Sequence, residues 1–80
     1  MFYAYVIQSL TDGTYYKGHC ENIEVRLKQH NAGSTSSIKS KVPFKIVYFE
    51  EFEKREHAIA KEKYFKTSAG RKYLKAKMIP

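Results

Sequence analysis

The chain opens on a run, Phe2 to Gln8, in which β-branched and aromatic residues fill both alternating sets of positions. A strand with one wet face alternates apolar with polar residues. One covered on both faces does not, so this segment predicts a central β-strand. Thr11-Asp12-Gly13 follows with turn chemistry, Gly13 being free to adopt a positive φ. Thr14 to Gly18 is then expected to return as the antiparallel partner, with Gly18 ending it and permitting a close backbone approach.

The period then changes from strand to helix. Asn22 suits the cap of a helix running through Leu27 to about Asn31, and Gly33 suits its stop. Ile23 and Leu27 form the buried stripe, with Arg26 and His30 on an adjoining line. Ser34 to Lys41 is polar and rich in Ser and Lys, which predicts a mobile loop. Pro43 precedes a third strand, Phe44 to Phe52, and a second helix spans about Lys54 to Lys66. Ala58, Ile59 and Phe65 mark its inner stripe, and Glu62 stands three residues from both Ile59 and Phe65. That spacing carries a carboxylate to the core side of the helix or its border. Thr67 or Ser68 caps a last short helix ending near Lys77. The order β-β-α-β-α-α predicts one α+β domain over residues 1–80, a three-stranded antiparallel sheet flanked by helices.

Composition narrows the function classes. The single cysteine, Cys20, excludes an internal disulfide and a structural zinc site, and fits a reducing compartment. No apolar run approaches the roughly 20 residues of a membrane span, and the start lacks the basic region of a signal peptide. A cytoplasmic protein without a membrane partner is expected. Fifteen Lys and Arg against eight Asp and Glu give a net charge of +7 with no basic tail to account for it. The excess lies mainly in Lys39-Ser40-Lys41 and between Lys61 and Lys77. Such a balance points to a polyanion, nucleic acid before membrane; a solvated basic surface is the plainer alternative.

Candidate chemistry comes from residues that the elements can bring together. Tyr5 and Tyr16 lie on adjacent strands, so their hydroxyls can share one sheet surface. Arg26 sits one turn before His30, and Glu62 interrupts an apolar stripe. Two phenols, a guanidinium, an imidazole and a carboxylate are the types that phosphodiester hydrolysis uses. A carboxylate holds a hard divalent cation, an arginine offsets charge on the phosphate, and a phenol or imidazole takes a proton from water. Each residue taken singly also has a plainer role: strand tyrosines in a core, Arg26 as a surface charge, His30 at a helix end, Glu62 paired with a lysine.

Order and spacing add to this. "YVI" followed by "YYKG", then "NIEVRLKQHNAG", "VPFKIVYFEEF" and "EHAIAKEKYFK", resembles the GIY-YIG nuclease superfamily, from Phe2 to about Leu74. It is most similar to the small stand-alone, single-domain bacterial members, relatives of the excinuclease nuclease domain. The resemblance implies that Tyr5 is the tyrosine of the first motif, that Tyr16 and Gly18 are the tyrosine and glycine of the second, and that Arg26 is the helix arginine. Glu62 then matches the glutamate that binds one divalent ion, Mg²⁺ or Mn²⁺, and His30 the histidine that follows the arginine by one turn. It further implies an endonuclease in which Tyr5 or Tyr16, with His30, activates water against a DNA phosphate. Arg26 would steady that phosphate, and Gly18 would have a structural part.

Basic residues around such a site, Lys17, His19, Lys39, Lys41, Lys63 and Lys66, are the expected nucleic-acid contacts. The chain departs from the family pattern at Tyr3, in place of glycine, and at His19, where the excinuclease has lysine. No asparagine follows Glu62 and no second DNA-gripping domain is expected. The implied partner is DNA, with branched, flap and single-stranded forms all open, and a homodimer or a larger repair assembly is compatible. A nucleic-acid-binding module that keeps the fold without catalysis is the alternative, and a protein-interaction domain with core tyrosines the third reading.

Overall fold

A computed structural model describes residues 1–33 and 41–78. The elements are β1 (Phe2–Ser9), β2 (Tyr15–Cys20), α1 (Ile23–Asn31), β3 (Phe44–Phe52), α2 (Arg55–Phe65) and α3 (Ser68–Met78). The sheet is antiparallel in the order β2-β1-β3, so the run that lacks alternation is indeed the central strand. The expected loop from Ser34, with Lys39 on it, lies outside the described residues up to Lys41.

Both faces of β1 are covered. Ala4 and Val6 meet Phe65 of α2 and Leu74 of α3, with Tyr48, Tyr64 and Tyr73 around them. Tyr5 and Ile7 meet Phe44, with Tyr16, Cys20, Ile23 and Leu27 packed against that cluster. The one-residue alternation of β1 therefore sorts its side chains into an α1 layer and an α2/α3 layer. In the second layer Glu50 accepts hydrogen bonds from Tyr48 and Tyr73 and pairs with Lys61. Burial and the Glu50 contact together push the Tyr48 phenol far above its ordinary range.

Local chemistry sets the boundaries. Asn22 Oδ1 accepts from the Val25 N–H at 3.1 Å, capping α1 as expected. Thr67 caps α3, accepting from the Gly70 N–H at 3.0 Å. β2 does not end at Gly18 but continues through His19 and Cys20, which pair with Ala4 and Tyr3. The glycine serves a side chain of β1 rather than a chain end.

Two sets of contacts fix the start of β3. Asn31, the last residue of α1, accepts from the Phe44 N–H at 2.6 Å and donates to its carbonyl at 3.2 Å. Ser9 donates to the Lys41 carbonyl and Thr11 to that of Val42, while Leu10 N–H reaches the Pro43 carbonyl. These bonds tie the β1–β2 turn and the end of α1 to the entry of β3.

Candidate active site

Tyr5 rises from β1 on the α1 side, directly opposite Gly18. A Cβ at Gly18 would lie 2.5 Å from the Tyr5 hydroxyl oxygen and 2.6 Å from its Cζ, so only glycine lets the ring cross the neighbouring strand. The same oxygen is 2.9 Å from His30 Nε2 and accepts from Arg26 Nε at 3.4 Å. Arg26 and His30 stand one turn apart on α1, which is why both reach one phenol. A guanidinium can only donate, so the phenol oxygen accepts from Arg26, while the direction of its bond with His30 Nε2 follows the imidazole tautomer: with the ring proton on Nδ1, Tyr5 donates to Nε2.

The surroundings favour the uncharged form of both groups. Burial pushes the Tyr5 phenol up, more than the Arg26 hydrogen bond and charge pull it down, and Glu62 adds to the rise. Burial lowers His30, and the positive charge of Arg26 lowers it further. At neutral pH the pair is a protonated phenol beside a neutral imidazole. With Nε2 unprotonated, a proton arriving at the phenol oxygen can be matched by one leaving toward His30.

Glu62 approaches from the other layer. Its Oε1 is 2.6 Å from His19 Nδ1 and its Oε2 accepts from Lys66 Nζ at 2.7 Å. Alternation along the edge strand β2 explains this: Gly18 pairs with Tyr5 and belongs to the α1 side, whereas His19 pairs with Ala4 and turns toward α2. Glu62 thus reaches the margin of β2 from one face of the sheet while Tyr5 reaches it from the other. The two are near enough for the carboxylate charge to act on the phenol. Burial alone would raise the Glu62 carboxyl, but the hydrogen bonds from Lys66 and His19 outweigh it and hold it below the usual range.

An open cleft of about 360 Å³ lies beside these groups, lined among others by His19, Cys20, Arg26, Gln29 and Arg55. His19 and Arg26 are thus shared between the cleft and the two polar clusters. An ionised, partly exposed carboxylate fits a hard divalent cation that keeps much of its water. Among the described residues no three His, Cys, Asp or Glu side chains gather into a metal-binding group.

The remaining sequence-predicted residues are dispersed. Tyr16 is in the Tyr5 layer, edge-on to Phe44 at 5.5 Å between ring centroids, and its hydroxyl makes no hydrogen bond among the described residues. Lys41 is committed to Asp12 at the β1–β2 turn, holding that carboxyl well below the usual range. Lys17 is half-buried on the α2/α3 side; burial lowers its pKa, and the charges of Arg71 and Lys66 lower it further. Lys63 is exposed in the last turn of α2.

Sequence reasoning did not find Arg55 or Arg71. Arg55 lies over the Phe2 ring at 5.0 Å and 3.9 Å from Glu21, which puts a second guanidinium on the cleft wall. Nothing local distinguishes it from other helix-start charges; only the packing of α2 against the sheet brings it there.

The chain belongs to the GIY-YIG catalytic domain family, whose model matches residues 1–74. It is 42% identical over 65 residues to a UPF0213 protein of Bacillus licheniformis, a match covering 80% of this chain and 66% of that one, just under two thirds of its length. A UPF0213 protein of Clostridium perfringens is 37% identical over 67 residues, covering 82% of this chain and 71% of the relative. The solution NMR structure of a UPF0213 protein from Bacillus halodurans superposes with a TM-score of 0.55 at 25% identity, covering 95% of this chain and 84% of that one. The α+β fold with its β-β-α-β-α-α order is that of this small GIY-YIG group.

Proposed function

We propose that the protein is a divalent-metal-dependent endonuclease that hydrolyses DNA phosphodiester bonds. The observation that carries this reading is the Tyr5 hydroxyl, gripped between Arg26 and His30 over Gly18 within electrostatic reach of Glu62. Tyr5 takes the proton of the attacking water as its own proton passes to His30, which burial keeps neutral and ready to accept. Arg26 binds the phosphate with the guanidinium nitrogens that do not face Tyr5, and offsets the charge that develops on it. Arg55, on the same cleft wall, favours entry of a polyanion. Glu62 is the residue that would hold Mg²⁺ or Mn²⁺, and such an ion supplies Lewis-acid stabilisation of the leaving oxygen. Tyr16, whose hydroxyl makes no hydrogen bond to Arg26 or His30, supports the packing of Tyr5 and Phe44 rather than the proton step.

One observation favours the alternative, a nucleic-acid-binding module without catalysis. Glu62 already has a cationic partner, Lys66, and a second donor in His19, so it is satisfied without a metal. Cleavage assays on single-stranded, duplex, flap and branched DNA separate the readings. The nuclease reading expects cleavage with Mg²⁺ or Mn²⁺, none with EDTA, and loss in Tyr5→Phe and Glu62→Gln. Salt-sensitive DNA binding with no metal-dependent cleavage on any substrate establishes the module instead.

A further inference from the structure

The contact between His19 and Glu62 is a pair of metal-donor atoms already side by side. His19 Nδ1 and Glu62 Oε1 stand 2.6 Å apart, on an edge strand and a helix 43 positions apart in sequence, with side chains 34% and 17% exposed. Two donors on adjacent corners of an octahedral shell with bonds near 2.1 Å are about 3 Å apart. Widening that separation by a few tenths of an ångström, with a turn of the imidazole that aims an unprotonated Nδ1 off the N···O line, converts the hydrogen bond into a bite. Both side chains reach solvent, so water can complete the shell. Lys66 holds the other oxygen, Oε2, which fixes the carboxylate plane and leaves Oε1 to turn toward the imidazole.

We propose that His19 is a second protein ligand, beside Glu62, for the divalent ion, and that this imidazole makes the site select first-row transition ions such as Mn²⁺ over Mg²⁺. The proposal rests on the reading of Glu62 as metal ligand. Mg²⁺ takes oxygen donors and dehydrates reluctantly, whereas first-row transition ions accept an imidazole nitrogen, Mn²⁺ the least strongly of the series but more readily than Mg²⁺. The neutral imidazole carries its proton on Nε2 when Nδ1 is the donor, so the hydrogen bond to Glu62 is exchanged for a shared ion. His19 is then no cationic phosphate contact. It also lines the cleft beside Arg26, which sets the ion at the margin shared by the two layers.

The test is metal binding by the full chain, read without catalysis. Mn²⁺ and Mg²⁺ affinities are measured by calorimetry for the wild type, His19→Ala, His19→Asn and Glu62→Gln, with thermal melts to check folding. His19→Asn keeps an N–H that can hydrogen-bond to Glu62 but is a poor ligand, so it distinguishes ligation from mere positioning. Both His19 variants should lose at least about tenfold in Mn²⁺ affinity with little change for Mg²⁺, collapsing the preference. The electron spin echo of Mn²⁺ bound to the wild type should carry histidine nitrogen modulation that survives His30→Gln. That measurement needs no His19 variant to fold. Unchanged Mn²⁺-to-Mg²⁺ selectivity in His19→Asn, or no nitrogen modulation in the wild type, overturns the inference while a Glu62 requirement leaves the one-metal reading standing. Mn²⁺ binding that ignores Glu62→Gln, or no binding at all, overturns both.

Discussion

The Tyr5 ring lies across the backbone of Gly18, close enough that a methyl group at that position would sit within 2.5 Å of the phenol oxygen. Because the backbone of β2 is hydrogen-bonded to β1 on this register, the ring is what must yield. Gly18→Ala should therefore cost about 1–3 kcal/mol of stability through overpacking and also detach Tyr5 from Arg26 and His30. A chemical-denaturation curve and a cleavage assay check both; a variant of wild-type stability and rate would mean the ring has another place to go.

Tyr5→Phe removes the one oxygen that both Arg26 and His30 address. Cleavage should fall by about 10²–10⁴-fold, the scale of a lost general base, with the fold intact because the ring still fills its layer. Tyr16→Phe should cost far less. Equal losses in the two variants would remove the distinction drawn between the tyrosines.

Glu62→Gln keeps size and packing but deletes the charge that a hard cation needs. Divalent-ion binding and cleavage should collapse, while DNA affinity holds or rises as a repulsive charge near phosphate disappears. Thermal melts with and without Mn²⁺ supply the control. Only the wild type should gain stability from the ion.

His30 has a folded-state pKa below its ordinary value, first through burial and then through Arg26. Above the unfolded value of about 6.5 both states are neutral and His30 contributes no pH dependence. As pH falls through that value the unfolded chain takes the proton first, so stability drops until the folded pKa is passed. His30→Gln should flatten this part of the stability profile between about pH 6.5 and the lower folded pKa. A variant profile that keeps the wild-type slope there would place the titration elsewhere.

Salt should weaken DNA binding steeply, since a chain of net charge +7 displaces counterions from phosphate. Lys17→Ala and Arg71→Ala should each reduce the slope of log affinity against log salt, because the two cations lie close enough to repel each other and Lys66, whose own partner is Glu62. Lys41→Ala is the contrast: its partner is Asp12, so it should loosen the turn and leave the slope nearly unchanged.

Local patterns were sufficient for the order of the elements, though not for the end of β2, which runs past Gly18 to Cys20. The two-sided apolar run made β1 central, Asn22 capped α1, and the spacing of apolar positions in α2 left Glu62 at a border. These features depend on the repeat of a strand or helix and on neighbours a turn away. The family motifs also singled out Tyr5, Gly18 and Arg26, which lie within a short stretch of chain that folds onto itself. What they left undecided depended on alternation across strands. A one-residue step along β2 sends Gly18 to one layer and His19 to the other, so whether Glu62 meets a tyrosine or a histidine is fixed only when α2 packs on the sheet. The same holds for the lysines: charge alone cannot say that Lys41 faces Asp12 across a turn, or that Lys17 shares a surface with Arg71. The order of residues settles which groups the chain can offer and which elements carry them. Packing settles which of those groups share a proton, a carboxylate or a patch of charge, because such contacts join residues distant in sequence whose meeting depends on register and layer.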